Sequence, residues 1–319
     1  MKNIQFKDHT ECLQTPLGKV KLTCQIPSYH GHLIYKCKLD DQYVLLKYWP
    51  NSTQTIVRSF IDSWKVASNY QVGPKLLFSS IEKKLILMEA LESSKINYQS
   101  LAYLPNLKLT IDLIQRIHQI RIPYHKIKSK YLTIDSVLSQ LHPDIAAIKL
   151  WLSPTAFQCW QQLFHGHQQI DQITTWTHQD FYPLNFGQFN RELKAIDWDQ
   201  GCVGNPMQDI AMLAQYLPHH QHERLLMLYF NNQKASKQQW LIFSQQFTLL
   251  RLLCLNWCFL QVRHRSMLLK TITPIQPLAQ HHQQFLNHQF QADQQHLADL
   301  FVALKHDLIT RLPLLCEQL

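Results

Sequence analysis

An acid, an amide and a second acid stand in order along one stretch of the chain. Residues Trp176-Thr177-His178-Gln179-Asp180-Phe181-Tyr182-Pro183-Leu184-Asn185 contain His-x-Asp-x-x-x-x-Asn, and Ile196-Asp197-Trp198-Asp199 follows after a short polar turn. These residue types, in this order, suit phosphoryl transfer from Mg-ATP. Asp180 would orient a substrate hydroxyl and accept its proton, while Asn185 and Asp197 would hold Mg2+ against the nucleotide phosphates. A single Asp or Asn at a loop end needs only turn chemistry to explain it. Three in order, separated by apolar strand-like segments, ask for more.

The elements around them read consistently. Residues 186–189 and 193–196 have strand character around Asn190-Arg191-Glu192, a hairpin that would return Asp197 to the cleft holding Asp180. Upstream, 19–26, 32–39 and 43–49 alternate in polarity with breaks at 27–31 and 40–41, which predicts an antiparallel meander. Residues 52–70 have helical periodicity with Ile56, Phe60, Trp64 and Ala67 on one face, ending before Gly73-Pro74. Strands at 75–79 and 84–88 follow, then a connector at 89–94. From about residue 107 onward the pattern is helical outside the hairpin, with amphipathic stretches near 111–118, 145–164, 207–230, 237–262 and 280–312. The expected fold class is α+β and bilobal: a small antiparallel β-rich lobe (1–92) that binds nucleotide, and a larger, mostly helical lobe (93–319) with the catalytic loop and metal site.

Composition narrows the function classes. At 319 residues, 46% hydrophobic and 17% charged, the chain can bury a sizeable core. Only 7 glycines are present, and neither G-x-x-x-x-G-K-[ST] nor G-x-G-x-x-G occurs, which excludes P-loop and Rossmann readings. The net charge of +9 is spread along the chain rather than gathered in one patch; attraction for an anionic nucleotide suffices to explain it, and no nucleic-acid partner is expected. The 8 cysteines form no C-x-x-C pair. His219, His220 and His222 with Glu223 approach a zinc helix, but Leu226 stands where H-E-x-x-H needs its second His, so no zinc is expected. The first residues lack an apolar signal core, and the longest apolar stretch, 247–262, is interrupted by Arg251 and Asn256. It predicts a buried helix, hence a soluble, cytoplasmic protein without a membrane partner.

With these elements placed, the chain resembles the aminoglycoside phosphotransferase and choline kinase superfamily, whose fold is protein-kinase-like. Residues 26–35, with Ser28 and Gly31, resemble its phosphate-covering hairpin. Val44-Leu45-Leu46-Lys47 resembles the strand with the nucleotide-binding lysine, and Leu87-Met88-Glu89-Ala90-Leu91 the hinge that meets adenine through backbone groups. The helix 113–118, ending in His118, and Gly204-Asn205-Pro206-Met207-Gln208-Asp209-Ile210-Ala211 resemble two further segments. The resemblance implies ATP and Mg2+ as cofactors, Asp180 as base, Asn185 and Asp197 as metal ligands, Lys47 on the α/β-phosphates, and Asp209 as a brace behind the site. His178 has either a chemical role or a structural one, holding the catalytic loop through the backbone.

Two departures accompany it. The hairpin has one glycine, Gly31. The helix at 52–70 lacks the glutamate expected to partner Lys47; Phe60 falls near that position and Asp62 two residues on. Either Asp62 substitutes, or Lys47 is held by phosphate and water alone. For the acceptor, Asp199 would meet a cation if it faces the cleft, and Trp198 either walls the substrate site or packs in the core. Sparse acids in 210–280 argue against a polycationic acceptor. The resemblance therefore implies a kinase of a small alcohol such as choline, ethanolamine or thiamine; the alternatives are a catalytically impaired, nucleotide-binding relative with a regulatory role, or an aminoglycoside phosphotransferase. Oligomeric state is not readable from the sequence.

Overall fold

The computed structural model describes residues 12–26, 32–97, 99–122, 133–150, 152–164, 174–271, 302 and 304–317. In chain order, β1 (Cys12–Thr15), β2 (Gly18–Ile26), β3 (Leu33–Leu39) and β4 (Gln42–Tyr48) precede helix α1 (Gln54–Asn69). Then come β5 (Leu76–Ser80), β6 (Leu85–Glu89), β7 (Glu92–Ser93), α2 (Leu104–His118), α3 (Ile134–Leu138), α4 (Pro143–Ala146) and α5 (Pro154–Phe164). The strands β8 (Thr175–Thr177), β9 (Phe186–Phe189), β10 (Glu192–Ala195) and β11 (Cys202–Gly204) lead into α6 (Pro206–Ala214), α7 (His222–Tyr229) and α8 (Lys237–Thr271). The architecture is α+β and protein-kinase-like. The chain forms two compact units: Met1–Tyr131 with Ile173–Gln233, and Leu132–Gln172 with Lys234–Leu319.

In the first unit a six-stranded antiparallel sheet runs in the order β1-β2-β3-β4-β6-β5. The predicted meander is its centre; β1 is an addition, a four-residue strand in which only Leu13 and Thr15 turn inward. One face of the sheet packs Val20, Leu22, Tyr35, Cys37, Val44, Leu46, Tyr48, Leu85 and Leu87 into a core. Because side chains alternate along a strand, Leu46 on that face puts Lys47 on the other, across from Ile86 of β6.

Helix α1 starts at the N-cap Thr53 and buries Val57, Ile61, Ser63, Trp64 and Ala67. The face is turned by about one residue from the expected one. Ile56 is 46% exposed, whereas the 57/61/64/67 row carries an uninterrupted set of packing side chains, and that row wins. The hairpin β9–β10 pairs Glu192 with Phe189 through a two-residue turn. Asn190 and Arg191 both have positive φ, 50° and 68°, the conformation that matches the strand twist in a tight hairpin. The expected helix over 207–230 is two helices, α6 and α7, separated at Leu217-Pro218 where proline offers no N–H.

The second unit is helical. Arg251 and Asn256, the two interruptions of the apolar stretch, find polar partners inside it: Arg251 pairs with Asp307 at 2.8 Å, and the Asn256 Oδ1 accepts from the His142 N–H at 2.7 Å. Of the expected helix at 280–312, the described part from 304 on is helical. No helix among the described residues is long and apolar enough to cross a membrane.

Candidate active site

Lys47 sits near the end of β4, 2% exposed, with its ammonium between two carboxylates. Its Nζ lies 2.5 Å from Asp197 Oδ1 and 2.9 Å from Asp199 Oδ2. The rings of Trp49 and Trp64 lie with centroids 5.5 and 5.6 Å from Nζ. Burial by itself would lower the Lys47 pKa; Asp199 and Asp197 outweigh it and hold the ammonium above the ordinary lysine value. Burial likewise pushes the Asp197 carboxyl up, but the Lys47 charge and hydrogen bond, helped by His32 and His178, bring it below the ordinary carboxylate value. Asp197 takes φ 64°, ψ 58°, a left-handed conformation that is costly for a residue with a Cβ and clusters at functional sites.

Asp199 does meet a cation, and the cation is Lys47. Its Oδ1 accepts from Trp64 Nε1–H and its Oδ2 from Trp49 Nε1–H, both at 2.9 Å. Of the two places open to Trp198, the core is the one it takes. It is fully buried, stacks on Trp176 with centroids 6.4 Å apart, and donates to the Ala195 carbonyl at 2.8 Å. Its slot is lined by glycine: a Cβ on Gly73 would come within 2.7 Å of Trp198 Nε1, and one on Gly201 within 3.0 Å of Trp198 Cε3.

The loop that carries Asp180 is fixed from behind. Asp209, fully buried in α6, accepts from the main-chain N–H groups of His178 (2.8 Å) and Gln179 (2.7 Å) and lies 3.1 Å from His118 Nε2. The far nitrogen of His118 contacts Tyr229 Oη at 2.9 Å. Asp209 thus ties the main chain at 178–179 to α2 through His118. His178 is fully buried; its Nε2 faces the Ile196 carbonyl at 2.8 Å and its Nδ1 accepts from the Asp180 N–H at 3.2 Å. Through these partners the His178 ring joins the Asp180 turn to the segment that delivers Asp197.

Asn185 Nδ2 donates to the Asp180 carbonyl at 2.9 Å and to its carboxylate Oδ2 at 3.0 Å. The Ile196 N–H donates to the Asn185 carbonyl at 2.9 Å, so the hairpin brings the residue before Asp197 back to Asn185. With its NH2 engaged, Asn185 has its Oδ1 left without a hydrogen bond among the described residues. An amide oxygen and a carboxylate fit Mg2+, which takes one or two protein oxygens and fills its shell from phosphates and water. Among the described residues no group of three or more His, Cys, Asp or Glu could hold a metal alone.

At the hinge, Met88 is inside the β4–β6–β5 ladders. The Glu89 carboxylate accepts from the Lys75 N–H at 2.7 Å and pairs with Lys194 at 3.0 Å, so its side chain ties the hinge to β10. Ala90 lies just past β6, outside the ladders. Ser28 and Gly31 lie outside the described residues. Sequence reasoning missed Trp49 and Trp64 as hydrogen-bond donors to the site, His118 as partner of Asp209, and the Glu89–Lys194 pair. For Trp64 a signal existed: a large residue with one N–H on the inward face of a helix that lacks an acid there.

Residues 107–240 match the phosphotransferase enzyme family. No curated protein sequence matches the chain. Among solved structures, a choline/ethanolamine kinase family protein from Mesorhizobium loti is similar at 13% identity and TM-score 0.59, covering 91% of this chain and 90% of that one. The choline kinase LicA from Streptococcus pneumoniae is similar at 15% identity and TM-score 0.53, covering 92% and 94%. The amicoumacin kinase hAmiN, solved with AMP-PNP and Ca2+, is similar at 12% identity and TM-score 0.56, covering 92% and 88%. At such identities the likeness is one of fold. The stretch that carries Asp180, Asn185, Asp197 and Asp209 thus matches the phosphotransferase enzyme family, and the chain has the fold of these kinase structures.

Proposed function

We propose that the protein is an ATP-dependent phosphotransferase acting on the hydroxyl of a small molecule, with an amino alcohol of the choline, ethanolamine or thiamine kind as the acceptor. The observation that carries this reading is the convergence of Asp180, Asn185, Asp197 and Lys47, drawn from three separate segments of one compact unit. Asp180, its carboxylate steered by the Asn185 amide, orients the acceptor hydroxyl and takes its proton as the oxygen attacks the γ-phosphorus and ADP leaves. Lys47 holds the α/β-phosphates, and the backbone around Ala90 receives the adenine. Asn185 and Asp197 would hold Mg2+, which when bound neutralises charge on the phosphates. The nucleotide and divalent ion in the hAmiN structure support this assignment.

An amine-bearing acceptor is supported by Tyr182, two residues beyond Asp180, and Tyr216, whose rings stack with centroids 5.9 Å apart. Aromatic faces attract alkylammonium groups.

The test is Mg2+-dependent ADP release with choline, ethanolamine, thiamine and a panel of aminoglycosides, with Asp180→Asn as control. Turnover with an amino alcohol, reduced about 10²- to 10⁴-fold in the variant, is the expected result. Turnover confined to aminoglycosides would replace the acceptor class. ADP release at the variant's background for every acceptor, with AMP-PNP bound, would favour a catalytically impaired relative.

A further inference from the structure

We propose that Asp199 is a positioning residue that holds Lys47 ready for nucleotide phosphate, in the place of a glutamate from helix α1, with the indoles of Trp49 and Trp64 locking its carboxylate. The inference rests on the phosphotransferase reading above.

Helix α1 presents no acid to Lys47. Asp62, the one candidate in the sequence, has a side chain 47% exposed and pairs loosely with Lys65 at 3.9 Å. The α1 residue facing the lysine is Trp64, and an indole can only donate. Asp199 resolves the mismatch, since it accepts from Trp64 and from Lys47 at once. Trp49, one residue beyond β4, supplies the third donor. Ser63 Oγ–H donates to the Gly201 carbonyl at 2.6 Å, fixing the same turn of α1 to the same loop.

The carboxylate is therefore a three-way junction of β4, α1 and the loop after β10. Both oxygens are engaged, one by an indole and the other by an indole and the ammonium. Because Lys47 has two carboxylate partners, it can release Asp197 and still be held by Asp199. A lysine with only Asp197 would lose its one anchor whenever that carboxylate turned to another cation.

A double-mutant cycle on the full chain tests this, with ADP in EDTA as the probe so that no metal enters the readout. Lys47→Met should weaken ADP binding about 10- to 100-fold, the worth of a charge-assisted phosphate contact. Asp199→Asn should remove a large part of the same factor, and the double variant should bind no more weakly than Lys47→Met. Losses that multiply, or an Asp199→Asn variant with wild-type affinity, would overturn the proposal. No ADP binding in the wild type would instead overturn the phosphotransferase reading itself.

An independent readout is the set of indole N–H resonances from the 8 tryptophans. Asp199→Asn should move the two that vanish in Trp49→Phe and Trp64→Phe and leave the rest; an unmoved pair would also sink the idea. Asp199→Glu, which keeps the charge, should recover ADP affinity at least in part and serves where Asp199→Asn does not fold.

Discussion

Both ring nitrogens of His178 face main-chain groups, and the expected contribution of the ring is to shape rather than to proton traffic. His178→Ala should cost about 1–3 kcal/mol of stability for the unpaired groups it leaves and should lower kcat. The pH profile of kcat should keep its limbs; a displaced limb would make His178 a proton carrier after all. Asp209 is more exacting. Its carboxylate serves two backbone N–H groups and His118 with no exposure to water. Asp209→Ala should destabilise by about 3–5 kcal/mol, the usual cost of removing one partner from a buried polar cluster, and Asp209→Asn by less, as urea melts would show. The residues proposed to carry the reaction were legible because their order is tied to one short hairpin. Those that hold them were not: His118 reaches Asp209 across 91 positions, and which face of α1 meets Lys47 depends on packing that periodicity gives only to within a residue.

At the level of elements, the sheet was readable from alternation and turn residues, and its details from the same physics once the partners were known. Cys37 shows how far burial in this sheet alters chemistry. Its side chain is fully enclosed, and burial pushes the thiol up to about 12 from 9.0. In folded protein at pH 8 a maleimide should label the exposed Cys12 and Cys24 and spare Cys37, read by peptide mass spectrometry. The sign of the pH effect follows. The folded state binds the Cys37 proton more tightly than the unfolded one, so this contribution to stability is complete below about pH 9 and fades as pH rises toward 12. Helix α1, joined to the loop after β10 by Ser63 and Trp64, should show slow amide exchange at that end even without ligand.

For the molecule as a whole, every described residue of the proposed nucleotide site lies in one compact unit. AMP-PNP with Mg2+ at about 100 times its Kd should therefore raise stability by about 2.7 kcal/mol, with protection from hydrogen exchange centred on β4, residues 88–91 and 178–199. Protection absent from these segments would contradict the site. The low glycine content, read from sequence as an argument against phosphate loops, takes on another meaning beside Trp198. Gly73 and Gly201 both lie where an added methyl would collide with that indole. The three positions share one volume, and so they should drift together in evolution. Relatives with phenylalanine or leucine at the Trp198 position should tolerate alanine at the other two better than chains that retain the tryptophan. The same trade can be tested in the laboratory, where Trp198→Phe should recover part of the stability lost in Gly73→Ala, the remainder belonging to the Ala67 methyl 2.9 Å from the added carbon.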